Sequence, residues 1–325
     1  MKILKYLTLI FITIVFNIKG QDLSGIPGAF ADIGFGARPV AMGGAFVGLA
    51  NDVNSVLWNP AGLVFLDRYQ ASFSYTNQLG LINYHYLAAS LPLGKYKGLG
   101  FSLISSGDKA LREWTFGTSY AQKLWGFYTG ITLKFRFASF GNNGLNESDY
   151  IVFDQDEITS GIANQVNGSA IGFGFDIGLL YPVSKVITIG TQLRDIYSPV
   201  FWDSKTNSST KQTKGKYSET VPLEWTLGSA FRLTDNFVFA IDYSPSIIED
   251  ANQKLMAGME IKFLNLIYLR SGLQNLINNL DDERYSFGLG LDIGDLIGDS
   301  RILIDYTYSI EELANSQRFS LGMKF

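Results

Sequence analysis

The sequence predicts an all-β protein: a fourteen-stranded antiparallel transmembrane β-barrel with an N-terminal plug inside its lumen. Three observations carry that expectation. From Arg68 onward, segment after segment alternates apolar residues with Gly, Ser, Thr or charge, as strands with two unlike faces must. The even-numbered connections between these segments are short, the twelfth excepted, and the two longest are odd-numbered, the pattern of a barrel with both ends in the periplasm. Ahead of them lies a Gly-rich stretch, Gly36 to Leu63, with no period of two.

Composition narrows the class further. The 325 residues are 46% hydrophobic but only 17% charged, with 34 Gly, 17 Tyr and 24 Phe, which suits close-packed strands with aromatic bands. A net charge of -4 without a basic block leaves no electrostatic footprint for nucleic acid. Cys is absent and His85 is the single histidine, so thiol chemistry, disulfides and a His/Cys zinc site are excluded. No cofactor is implied.

Residues 1–20 read as a secretory signal. Lys2 and Lys5 precede an apolar run from Tyr6 to Phe16, which breaks at Asn17 and ends at Gly20 before a cleavage point near Gln21. No later run of about 18 apolar residues occurs, so helical membrane spans are not expected. Residues 21–68 are assigned to the plug, or hatch, and 69–325 to an outer-membrane barrel.

The strands are expected at 70–77, 82–92, 98–106, 111–123, 125–139, 169–182, 186–198, 220–233, 236–245, 253–263, 266–275, 283–293, 301–310 and 315–325. Ile131, Leu133, Phe135 and Phe137, for example, alternate with Thr132, Lys134 and Arg136. The long connections are then Phe140 to Gly168 and Pro199 to Ser218, both rich in Asn, Ser, Thr and charge. The stretch Gly294 to Ser300 is longer than a periplasmic turn should be. A soluble sheet would carry a charged solvent face. Here the second face is mainly small residues, as a tight, wet lumen requires, and the chain closes on Phe325.

The inward positions hold charges of both signs: Lys134, Arg136, Asp176, Glu224, Arg232, Asp242, Glu260, Lys262, Arg270, Asp292, Asp305, Arg318 and Lys324. A charge facing lipid at mid-depth costs about 2–4 kcal/mol, so these belong to the lumen. Because the signs are mixed, they are expected to pair with each other and with the plug. Arg38 is expected on a lumen carboxylate such as Asp176 or Asp292. Fourteen strands enclose a lumen too wide for the wall's own side chains to fill, and the N-terminal stretch is the only spare segment of sufficient size.

Within that stretch, Gly36-Ala-Arg38, Gly43-Gly44, Asp52-Val-Asn54-Ser55 and Trp58-Asn59-Pro60-Ala61-Gly62 resemble the N-terminal signature of the PorV/PorQ branch of the FadL superfamily. The resemblance implies a fourteen-stranded outer-membrane barrel with a hatch. It implies two jobs. PorV-type members carry exported protein cargo and work with components of the type IX secretion system. FadL-type members take up hydrophobic small molecules through the hatch and an opening in the wall. Surface export is the first reading and hydrophobic uptake the alternative; outer-membrane lipid is the common partner.

Catalysis is not expected. His85 has Ser74 and Ser90 as neighbours in the sequence pattern but no carboxylate to orient it. Asp281-Asp282 and Glu311-Glu312 fall in expected loops, and the Gly34-Phe-Gly36 run meets Pro39 where a dinucleotide fingerprint needs Gly.

Overall fold

The computed structural model describes residues 30, 33–108, 110–141, 166–206, 214–247, 253–277, 279–297, 299–312 and 314–325. The expected signal segment and most of the expected loop from Phe140 lie outside them. Two short helices, α1 (Ala37–Ala41) and α2 (Ser55–Trp58), and a 3₁₀ turn (Pro60–Phe65) precede the strands. The strands are β1 (Gln70–Gln78), β2 (Ile82–Pro92), β3 (Lys97–Gly107), β4 (Leu111–Leu124), β5 (Phe127–Phe140) and β6 (Val166–Pro182). Next come β7 (Ile187–Arg194), β8 (Pro199–Thr206), β9 (Lys214–Thr220), β10 (Glu224–Thr234) and β11 (Phe237–Ser244). The series ends with β12 (Lys254–Phe263), β13 (Ile267–Leu276), β14 (Asn279–Ile297), β15 (Ser300–Ile310) and β16 (Ser316–Lys324).

All are antiparallel to their neighbours, and β1 pairs with β16 from Gln70↔Lys324 to Asn77↔Gln317, which closes the wall. The sixteen segments make fourteen barrel strands. The lower half of β6 pairs with β7 and its upper half with β8, so β7 and β8 are one strand with a break. In the same way β10 pairs with β7 and β9 with β8. The stretch expected as a loop from Pro199 to Ser218 therefore contains β8 and β9. Its polar composition concealed two strands because they rise toward the long-loop end, where water replaces lipid as the outer environment.

A second correction concerns Gly294 to Ser300. Strand β14 continues to Ile297 and β15 begins at Ser300, so that connection is as short as its counterparts. The same strand begins at Asn279, which takes Asp281 and Asp282 out of the expected loop.

The outward positions of the wall are large and exposed, among them Phe73, Phe116, Phe135, Ile177, Phe287 and Leu321. Tyr181 and Phe325 stand near the short-turn ends, with Phe325 stacked on Tyr69 at 6.0 Å. An apolar exterior on a sheet closed by the β1–β16 pairing is the geometry that lets a chain span lipid.

The inner face differs from a wet lumen. Its small residues lie under the N-terminal segment, which runs around the inside of the wall. Helix α1 packs on β13 to β16, α2 on β2 to β4, and the 3₁₀ turn on β2 to β6. From Phe35 to Val64 nearly every residue is buried, and strand pairing begins at Tyr69, whose amide donates to the Phe325 carbonyl at 3.1 Å. The main core of the protein is thus the lumen itself: Phe35, Met42, Phe46, Leu49, Trp58 and Leu63 packed against Tyr84, Tyr86 and Leu180.

Candidate functional site

The lumenal segment is shaped by a few residues. Gly36 has φ 83° and a Cβ there would overlap Asn54 Oδ1, so the two motif residues define one close approach. Gly43, at φ 66°, lies backbone to backbone on the wall: a Cβ at Gly272 would overlap its amide nitrogen, and one at Gly258 the Met42 carbonyl. Gly44 completes that turn at φ 82°. Asp52 lies two residues ahead of Asn54, the residue at which α2 is capped. Its Oδ1 accepts the Asn54 amide at 2.8 Å and its Oδ2 binds Arg38, while α2 starts at Ser55.

Trp58 donates from Nε1 to the Phe35 carbonyl at 2.9 Å and meets Phe46 edge-on at 6.2 Å. Asn59 is extended. Its Nδ2 donates to Val47 O inside the segment and to Leu179 O in the wall, and its Oδ1 accepts from Ala61 N. Pro60 opens the 3₁₀ turn, and Gly62 fits beneath the Ala50 carbonyl and Ser55 Oγ. The motif that carries the family resemblance is therefore spent on internal shape.

Each of the charges assigned to the lumen is on an inward position, and most are tied into clusters. The first fastens the segment to the wall. Arg38 grips Glu260 with two parallel bonds of 2.8 Å and Asp52 with a third. Glu260 also accepts from Arg270 at 2.6 Å, and Arg270 from its other side reaches Asp305 at 2.5 Å. Burial opposes the charge on Arg38, yet Glu260 and Asp52 outweigh it and hold the guanidinium well above its usual range. The expected partners are otherwise engaged: Asp176 by Lys134, and Asp292 by Arg301 at 3.0 Å.

A second fastening needs no counter-charge. Asp242 Oδ2 accepts the amides of Phe46 and Val47 at 2.8 and 2.7 Å, next to Gly228, where a Cβ would overlap that carboxylate. Arg318, fully buried, donates to the carbonyls of Ile33 and Gly34 and holds the entry of the segment. Higher in the lumen Glu224 joins Lys254 at 2.8 Å and Arg194 at 3.4 Å. Arg232 reaches only Thr188 Oγ1, at 3.3 Å.

The third cluster sits at the break in the wall. Arg194 to Pro199 lie opposite Phe173 to Asp176, with two residues more than their partner strand. The excess is absorbed at Asp195, whose φ of 57° is a left-handed conformation that Asp tolerates better than most side chains. The kink turns Asp195 inward onto Lys134 at 3.0 Å and Arg136 at 2.7 Å, and its amide donates to Asp176. Arg136 also donates to Ser198 Oγ. On the outer side, Tyr197 is exposed and packs on Phe173 at 5.7 Å.

Sequence reasoning missed Asp195. Its signal was present in the pair Arg194-Asp195, since two adjacent charges cannot both face the lumen of a regular strand. Replacing Asp195 with Ala would leave Arg136 buried without its carboxylate. The expected loss is about 3 kcal/mol or more of stability, read as a lowered urea midpoint for the refolded barrel in detergent; an unchanged midpoint would contradict the assignment of this cluster.

Beside the break, toward the long-loop end, lies a small apolar cluster. Ala138, Ala170, Val200 and Trp202 cluster there, with Phe30, Phe140 and Val221 against them. The Phe30 amide donates to Glu113 Oε1 at 2.8 Å, and its ring faces Arg136. At the opposite, short-turn mouth a cavity of about 530 Å³ opens beneath Arg38 and Glu260.

A closed wall of fourteen strands, apolar outside and charged within, around a packed lumenal segment defines a barrel of the outer-membrane type. No protein-family model matches the chain, and no curated protein matches it in sequence. Among solved structures it is similar to the Ralstonia pickettii toluene transporter TbuX, at a TM-score of 0.61 and 14% identity over 91% of this chain and 98% of that one. It is also similar to the CymD monoaromatic hydrocarbon channel, at 0.56 and 12% over 90% and 97% of the two chains. A Pseudomonas aeruginosa FadL homologue is similar at 0.55 and 12%, over 86% and 95%. The fold is FadL-like.

Proposed function

We propose that the protein is an outer-membrane channel for small hydrophobic molecules, with the lumenal segment as its closed gate. The observation that carries this reading is the bulged wall at Arg194 to Pro199, placed directly beside the apolar cluster of Phe30, Phe140, Val200 and Trp202. An apolar solute entering from the long-loop end gains transfer free energy there, about 25 cal/mol per Å² of apolar surface removed from water. At the break the wall is held to β6 by the Ile196 amide on Phe175 O at 2.9 Å, and loosening it past Phe173 and Tyr197 would let the solute leave into lipid without crossing the lower lumen. The fold is shared with proteins described as toluene transporters and monoaromatic hydrocarbon channels, which supports the same solute class.

The reading assigns no chemistry to the chain. His85 is on the outer face, between Phe73 and Tyr75, whereas Ser74 and Ser90 are buried on the inner face. The surface-export reading rests on the motif between Gly36 and Gly62 alone. Within it, the residues from Asp52 to Gly62 are buried in contacts with Arg38, Phe35, Val47 and the wall, so they present no surface to cargo.

The test is toluene uptake by cells of a host lacking its own hydrocarbon channels. Cells carrying the protein are expected to take up toluene several-fold faster than cells with an empty vector. Trp202→Gln, which makes the cluster polar, should return the rate to the background while the barrel still shows its heat-modifiable gel shift. Equal rates with and without the protein would overturn the reading.

A further inference from the structure

The cavity at the short-turn mouth has an electrostatic imbalance that the hydrophobic route does not use. This mouth is the periplasmic one, because both ends of the barrel are there and every connection at it is short. The cavity is bounded by the clasp above and by the turns at Lys185-Val186 and Thr234 to Asn236 below. Of its four lining carboxylates, Asp52, Glu260 and Asp305 are already consumed by Arg38 and Arg270, which leaves Asp235 at the turn. Four lining cations, Lys185 at the turn and Arg232, Lys262 and Lys324 on the wall, form no ion pair among the described residues. Arg232 holds only the Thr188 hydroxyl, and Lys262 lies over the Tyr268 ring at 5.6 Å.

Cations gathered in a partly enclosed, poorly hydrated space repel one another and are short of solvent, and an anion relieves both penalties. A guanidinium matches the paired oxygens of a phosphate or carboxylate in a fork, and two flexible ammonium groups adapt around the remaining oxygens. At about 530 Å³ the space suits a small organic molecule, within the usual range of about 300–1,000 Å³ for ligand pockets. Glu260 does not repel such a ligand strongly, because two arginines already neutralise it.

We propose that this vestibule binds a small anion bearing a phosphate or carboxylate group, held by Arg232, Lys262 and Lys324. The group can arrive as a free periplasmic solute or as a phospholipid headgroup reaching over the rim. The site stands independently of hydrophobic uptake, so either can fail without the other.

The test is calorimetric titration of the purified full-length barrel in lipid-free detergent, at constant ionic strength, with sodium chloride as the blank. One arm uses inorganic phosphate and the other short-chain phosphatidylglycerol. Saturable binding of phosphate supports a free anion; binding of the lipid alone supports the headgroup source. In either case the Arg232→Gln, Lys262→Gln double variant should bind at least tenfold more weakly, with its heat-modifiable gel shift retained. Absence of saturable heat in both arms, or unchanged affinity in the double variant, would overturn the proposal.

Discussion

Gly272→Val is expected to convert a sealed barrel into a leaking one. Gly272 is on the inner face of β13, where the turn at Met42-Gly43 rests backbone to backbone on the wall. A valine side chain cannot share that space. Neither neighbour can yield by rotating a side chain, because the overlapping atoms are the Gly43 amide and the Met42 carbonyl carbon. The strand itself accepts valine readily, so the wall should still close. Overpacking of about 1–3 kcal/mol or more is then discharged by lifting the lumenal segment. In planar bilayers the wild type should show little conductance, and the variant frequent large openings. A variant as tight as the wild type would mean that the segment does not seal the pore.

Arg38→Met is the second large effect. Methionine keeps much of the volume but removes four charge-assisted bonds, to Glu260 twice and to Asp52 and Asn51 once each. Glu260 retains Arg270, whereas Asp52 loses its cation in a buried site. Breaking a buried pair by removing one partner typically costs about 3–5 kcal/mol, and here the loss falls on the contact between segment and wall. The expected readout is protease cleavage within residues 33–66 of the folded barrel, at a rate at least tenfold above the wild type. Arg38→Lys should fall between the two, since an ammonium keeps the charge but not the fork. Equal cleavage of all three proteins would remove the clasp from the account of how the segment is held.

The two experiments probe different terms. Gly272 tests shape at a point where no side chain intervenes, and Arg38 tests charge at a point where shape is kept. Asp242, which holds Phe46 and Val47 by their amides, remains intact in both.

The amino-acid sequence by itself determined the barrel. Strand alternation has a period fixed by the backbone, and lipid outside with a filled lumen inside demands unlike faces, so strands such as β5 and β12 are legible residue by residue. The inward charges were legible for the same reason, since lipid excludes them. What the sequence could not decide was which charges meet. Arg38 pairs with Glu260, 222 residues away, and not with Asp176 or Asp292, because partner choice depends on how a non-repeating segment coils inside the wall.

The break at Asp195 and the strands β8 and β9 were likewise decided by tertiary structure. A bulge removes the periodicity on which strand reading rests, and strands that leave the membrane lose their apolar outer face. The small inner residues carried a signal that only packing could interpret. Glycine facing a lumen reads the same whether it meets water or another backbone, and at Gly258 and Gly272 it meets the backbone of Met42 and Gly43.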